Sequence, residues 1–188
     1  MEIGIFGGSF NPIHNGHIIL AETFLEQCSL DEVWLMVTPQ NPFKTQAELL
    51  DDDKRLELGK QAVVNYPKLK VSDYEFHLPK PSYTWNTLQS LKKDYPQTNF
   101  TLLIGGDNWA AFNRWSHAAD ILANYPIAIF PRRGYPLDKQ LLKAGQQILQ
   151  TPLLDISSSD IRRRIKQGES IDKMIPACIL QQVRNLYL

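Results

Sequence analysis

The sequence predicts an α/β fold, a single doubly wound parallel sheet with a C-terminal helical extension. Two observations carry this expectation. Short apolar runs alternate with longer segments of helical periodicity, which is the pattern of a parallel sheet covered on both faces. The chain has 188 residues, 43% of them hydrophobic and 21% charged, enough for one domain with a sizeable core and no case for disorder.

In chain order, Glu2–Phe6 reads as a strand ending in Gly7-Gly8. Asn15–Cys28 reads as a helix, with Leu20/Ala21, Phe24 and Cys28 at helical spacing. Glu32–Val37 is a second strand. Asp51–Tyr66 is a helix whose three leading aspartates suit the positive end of its dipole. Leu69–Ser72 is a short strand, and Tyr83–Tyr95 a helix with Trp85, Leu88 and Leu91 on one side. Phe100–Ile104 and Ile127–Phe130 are continuous apolar strands, ended by Gly105-Gly106 and by Pro131. Ser157–Ser159 caps a helix reaching about Lys166, with Gly168 as its stop. A last helix begins near Pro176. At least five parallel strands make a Rossmann-like sheet, with a ligand expected at their carboxyl ends. One domain is expected over residues 1–188, with a core over about 1–155 and a helical part over about 156–188.

Twenty basic and twenty acidic residues give a formal net charge of zero. A nucleic-acid partner normally leaves a basic excess, so a small molecule is expected instead. Met1–Phe6 carries no basic n-region, and no apolar run is long enough to span a bilayer. The expectation is a cytoplasmic protein with no membrane partner; self-association into a homo-oligomer stays open. Cys28 and Cys178 lie far apart in apolar, helix-like stretches and read as small buried hydrophobes rather than redox or zinc ligands.

The chemistry concentrates in Gly7-Gly8-Ser9-Phe10-Asn11-Pro12-Ile13-His14-Asn15-Gly16-His17, between the first strand and the first helix. Two glycines allow close backbone approach, and the helix start offers unpaired N–H groups to an anion. His14 and His17, three apart, could both face a phosphate whose charge grows in a transition state. Neither a Walker loop nor a dinucleotide fingerprint is present. A metal pair made by the two histidines lacks further ligands nearby in sequence, so no protein-held metal is expected. Near the C-terminus, Ser157–Arg162 is a serine cluster at a helix start, with Arg162 one turn beyond Ser159. Ser158, Ser159 and Arg162 suit phosphate, while Arg163 and Arg164 read as a solvated basic face. Asp107, after a core strand, fits either ribose hydroxyls or a helix cap. Thr84 opens a helix that could take a carboxylate. Trp115 could stack on an aromatic ring or pack in the core. Arg132 could meet a phosphate.

These stretches resemble the nucleotidyltransferase superfamily, whose His-x-Gly-His element matches His14–His17 and whose Ile-Ser-Ser-Thr/Ser-x-Ile-Arg element matches Ile156–Arg162. Within it, the chain is similar over nearly its whole length to the bacterial nicotinate-mononucleotide adenylyltransferases. Their Ser-Tyr-Thr-x-x-Thr appears as Ser82–Thr87, their Gly-x-Asp as Gly105–Asp107, and their downstream tryptophan as Trp115. Their Pro-x-x-Lys loop is matched by Asn41-Pro42-Phe43-Lys44. Their Arg-Pro-Gly-Tyr is Arg132-Arg133-Gly134-Tyr135, with arginine in place of the proline.

The resemblance implies AMP transfer from ATP to nicotinate mononucleotide, with magnesium arriving on the triphosphate. It implies His14, His17 and Arg162 in catalysis. Gly8, Ser9, Phe10, Gly16, Lys44, Asp107, Ser158 and Ser159 would bind ATP, and Thr84, Trp115, Ser116 and Arg132 the acceptor. The same transfer to nicotinamide mononucleotide or to pantetheine phosphate is the first rival. A non-catalytic nucleotide sensor is the second.

Overall fold

The computed structural model describes residues 1–39, 49–152 and 154–188. Its centre is one six-stranded sheet, all parallel, of β1 (Glu2–Gly8), β2 (Glu32–Val37), β3 (Leu69–Ser72), β4 (Asn99–Gly105), β5 (Ile127–Phe130) and β6 (Gln146–Ile148), in the order β3-β2-β1-β4-β5-β6. The direction of winding reverses between β1 and β4, so the loops leaving those two strands diverge and open a crevice. The helices are α1 (Asn15–Gln27), α2 (Asp52–Ala62), α3 (Thr84–Asp94), α4 (Gly106–Ala110), α5 (Ala118–Asn124), α6 (Ser158–Lys166) and α7 (Leu180–Tyr187). No described helix is long and apolar enough to cross a membrane.

Side chains alternate across each strand, and this builds two cores. Ile3 and Ile5 face Leu88 and Leu91 of α3 and Ile121 of α5. Phe6 faces the opposite layer, where Phe24 of α1, Leu58 of α2, Ile161 of α6 and Val183 of α7 pack together. The C-terminal helices thus share a core with the strands. Between Ile3 and Ile5, Gly4 has no side chain because Phe24 fills the space, a Cβ there lying 2.3 Å from the ring.

Every strand expected from the sequence is present, and a sixth is added. β6 reads Gln-Gln-Ile, too short and polar to announce itself, and it sits at the sheet edge beside β5. The second helix stops at Ala62 rather than Tyr66. The expected final helix opens as a 3-10 turn, Ala177–Ile179, before α7. That turn corrects the reading of Cys178 as buried: it is exposed, its thiol 3.5 Å from the Gln61 carbonyl. Cys28 ends α1 half-buried, and burial pushes its thiol up to about 11.

The Gly4 contact gives a measurable consequence. Overpacking a filled core costs about 1–3 kcal/mol, so Gly4→Ala should lower unfolding free energy by about that much in urea titration. Gly7→Ala, where an added Cβ meets nothing within 4 Å, should change stability by less than about 0.5 kcal/mol.

Candidate active site

The first loop leaves β1 at Gly8 and enters α1 at Asn15. Its carbonyl groups are claimed from below. Arg55 donates to the carbonyl of Ser9, Arg162 to that of Asn11 (2.8 Å), and the Ser158 hydroxyl to that of Pro12 (2.9 Å). Phe10 takes a left-handed backbone (φ 43°) and buries its ring edge-on to Phe6 and His17. At the start of α1, the backbone N–H and the side-chain amide of Asn15 donate to the carbonyls of Met174 and Lys173.

His14 and His17 stack, ring centroids 3.6 Å apart. The His14 backbone N–H donates to His17 Nδ1 at 3.2 Å, which assigns the His17 ring proton to Nε2. His14 is buried, and its Nδ1 makes no hydrogen bond within the chain. Burial first, and then the nearby Arg132 charge, lower the His14 pKa to about 3, so the ring is neutral at pH 7. Gly16 makes room for it: a Cβ there would lie 3.0 Å from His14 Nδ1.

Two hollows meet at Phe130. One is flanked by His14, Gly16, His17, Arg132, Thr151 and Ile156. The other runs between the ends of β1 and β4, with Gly8, Thr84, Trp115 and Ser116 on its walls. Thr84 is the first residue of α3, whose N-terminus carries neither a side-chain cap nor an acidic residue. Trp115 is half-buried, tilted against Phe112 at 5.1 Å, with its remaining surface on this hollow. Core packing and cavity lining therefore coincide in one residue.

Asp107 lies in the first turn of α4 but does not cap it; Gly105 holds the cap position without a side-chain bond. Asp107 Oδ1 is buried without a hydrogen bond and stands 3.8 Å from Arg132 Nε. Arg132 also lies over the Phe130 ring at 5.0 Å. The turn Arg132–Tyr135 closes by Tyr135 N–H on the Arg132 carbonyl, with Gly134 at φ 83°. Glycine with positive φ is required at the third position of such a turn and proline is merely favoured at the second. Arg133 thus keeps the turn, pointing to solvent near Asp155.

Ser157, not Ser158 or Ser159, caps α6, accepting from Asp160 N–H at 3.1 Å. Ser159 is exposed. Arg163 and Arg164 are engaged by Asp160 and Glu169, which separates them from Arg162 as their spacing suggests. Lys44 lies outside the described residues. Sequence reasoning overlooked Arg55, Glu75 and Asn11. Arg55 and Glu75 look like ordinary charges on amphipathic segments, and only their burial, 0% and 6% exposed, marks them.

A glycine-rich loop at a sheet switch point, a histidine pair at the following helix start and a second basic helix behind it define a nucleotidyltransferase. The cytidylyltransferase-like family model matches residues 5–164, and the chain belongs to that family. A Bacteroides fragilis protein named probable nicotinate-nucleotide adenylyltransferase is 46% identical, covering 97% of this chain and 90% of that protein. One of the same name from Flavobacterium johnsoniae is 40% identical, covering 100% and 99%. Nicotinic acid mononucleotide adenylyltransferase of Plasmodium falciparum, solved in complex with NaAD, shares the fold with a TM-score of 0.82 at 22% identity, covering 99% of this chain and 97% of that one. The chain is a member of the nicotinate-nucleotide adenylyltransferase family.

The buried neutral His14 couples the site to acid stability. Its folded pKa of about 3 lies below its ordinary value of 6.5, so below pH 6.5 the unfolded chain binds the extra proton and stability falls as pH falls. From this residue alone, about 2 kcal/mol should be lost between pH 7 and pH 5. Denaturant titrations at both pH values should show that loss, and His14→Asn should reduce it.

Proposed function

We infer that this chain transfers AMP from ATP to nicotinate mononucleotide, forming nicotinate adenine dinucleotide and pyrophosphate. A phosphate oxygen of the acceptor attacks the α-phosphorus of ATP. The bond from that phosphorus to the bridging oxygen of the β-phosphate breaks, and pyrophosphate leaves with the electron pair. The acceptor supplies the nucleophile, so the protein's part is positioning and charge stabilisation.

The observation that carries this reading is the histidine pair on the wall of one of two hollows that meet at Phe130. The hollow beside Thr151 and Ile156 suits the nucleoside of ATP, and the one beside Thr84 and Trp115 suits the pyridine nucleotide. The α-phosphorus then falls between them. His17, with its proton on Nε2, donates to the α-phosphate as its charge grows. Neutral His14 lies against it. Backbone N–H groups of Ser9 and Phe10, with Gly8 allowing close approach, cradle the departing phosphates. Arg162, Ser158 and Ser159 stand behind the loop as the second phosphate contact. Asp107 receives ribose hydroxyls, Arg132 the acceptor phosphate, and Ser116 N–H the pyridine carboxylate together with the α3 N-terminus. Trp115 stacks on the pyridine ring. Among the described residues no three ligand-type side chains gather for a metal. Magnesium bound with ATP would be held by phosphate and water, where it neutralises the charge of the triphosphate.

His17→Ala should fold and lose about 10²–10³ in kcat, the usual effect of one transition-state donor; a pyrophosphate-release assay measures it, and a variant within a few-fold of wild type would exclude the role. In the same assay Arg162→Ala should weaken ATP binding while Arg163→Ala leaves it unchanged; equal losses would point to a diffuse basic face. The acid should be preferred over the amide by about one to three powers of ten in kcat/KM, because a carboxylate at an uncapped helix N-terminus gains charge-assisted bonds that an amide lacks. Comparing the two pyridine nucleotides tests this directly, and equal efficiencies would exclude the carboxylate placement.

A further inference from the structure

Glu75 lies in a 3-10 turn, Tyr74–His77, and is 6% exposed at the wall of the acceptor hollow. A carboxyl is a costly group to bury. Among the described residues its neighbours are the hydroxyls of Thr38, Ser82 and Thr87. Thr87 Oγ1 donates to Glu75 Oε1 at 2.8 Å. Glu75 Oε2 and the Ser82 hydroxyl, both buried, complete no hydrogen bond of their own. The AMP-transfer reaction described above has no use for this group.

Its partner explains what it does. Thr87 sits one turn into α3, and its hydroxyl has a competing acceptor, the Tyr83 carbonyl four residues back, at 3.4 Å. The shorter bond is the one to Glu75, and it ties the first turn of α3, whose N–H groups open into the hollow beside Thr84, to the 3-10 turn Tyr74–His77.

We propose that Glu75 is a positioning residue for acceptor selectivity: through Thr87 it fixes the first turn of α3, so that its N–H groups meet a carboxylate on the pyridine nucleotide and not an amide. The proposal rests on the carboxylate placement given above. Burial raises the Glu75 pKa, and the hydroxyls of Thr87, Thr38 and Ser82 oppose that shift.

The experiment is steady-state kinetics with nicotinate mononucleotide, nicotinamide mononucleotide and ATP on the full chain and on Glu75→Ala, Glu75→Gln and Thr87→Val, with melting temperatures alongside. Loss of one buried hydrogen bond should raise KM for the acid about tenfold in Glu75→Ala and in Thr87→Val. KM for ATP should stay within about twofold and the acid-over-amide ratio should fall about tenfold. The double variant should be no worse than either single one, because both remove one interaction. Glu75→Gln keeps an oxygen for Thr87 and should recover most of the acid KM. A selective wild type whose ratio is unchanged in Glu75→Ala and Thr87→Val would overturn this proposal alone. Equal rises in KM for ATP and acid would do the same. If Glu75→Ala does not fold, Thr87→Val and Glu75→Gln carry the same comparison. A wild type equally efficient on both nucleotides would overturn the carboxylate placement and this proposal together.

Discussion

Arg55 is fully buried beneath the first loop, and its guanidinium donates to the carbonyls of Ser9, Thr38 (3.1 Å) and Leu50 (2.9 Å) while pairing with Asp52. Such a charge is tolerated in the interior only when its donors are met and a counter-charge is near, and both conditions hold. The consequence lies above it. A loop whose carbonyls are drawn downward turns its N–H groups outward, which is the orientation an anion needs. Arg162 and Ser158 act in the same sense on Asn11 and Pro12. The shape of the first loop is therefore set as much by helices α2 and α6 as by its own glycines.

That dependence extends to the end of the chain. The Tyr187 hydroxyl donates to Asn11 Oδ1 at 2.7 Å, and the same oxygen accepts from Leu50 N–H at 3.1 Å. One buried side-chain oxygen thus joins the first loop, the approach to α2 and the last turn of α7. The division anticipated near residue 155 marks a change of secondary structure. Ile161, Ile165, Val183 and Tyr187 pack in the same core cluster as Phe6 and Phe24, and we propose that residues 1–188 fold as one domain.

Much of this was legible because period and punctuation are local. The strands Glu32–Val37, Leu69–Ser72 and Ile127–Phe130 fall where their apolar runs place them, and Ser157 and Gly168 bound α6 through cap chemistry. What escaped depends on distant partners. Short α4 and α5 lack a full amphipathic period, and β6 is strand only because β5 offers it an edge. Arg55 sits among Asp52, Asp53, Lys54 and Glu57, a run that reads as a solvated face. Glu75 lies in a polar connection. In both cases the surrounding fold, rather than the neighbouring letters, makes the charge an interior one. The contacts of Ser158 and Arg162 were likewise hidden: their spacing suggested a phosphate, but it could not disclose that they hold carbonyls 146 and 151 positions earlier in the chain.

The two histidines divide their labour for a geometric reason. Residues three apart at a helix start lie on one face, and Gly16 between them leaves space for the rings to stack. The His14 main-chain N–H occupies His17 Nδ1, fixing which nitrogen of His17 carries the proton. The His14 ring, buried and close to Arg132, is held neutral, so it can lie at 3.6 Å from His17 without the repulsion that two imidazolium rings would suffer. A side chain at position 16 would displace His14, and with it the main chain that orients His17. The spacing His-x-Gly-His thus encodes a ring N–H of fixed tautomer, the main-chain group that sets it and the gap that lets the two rings touch.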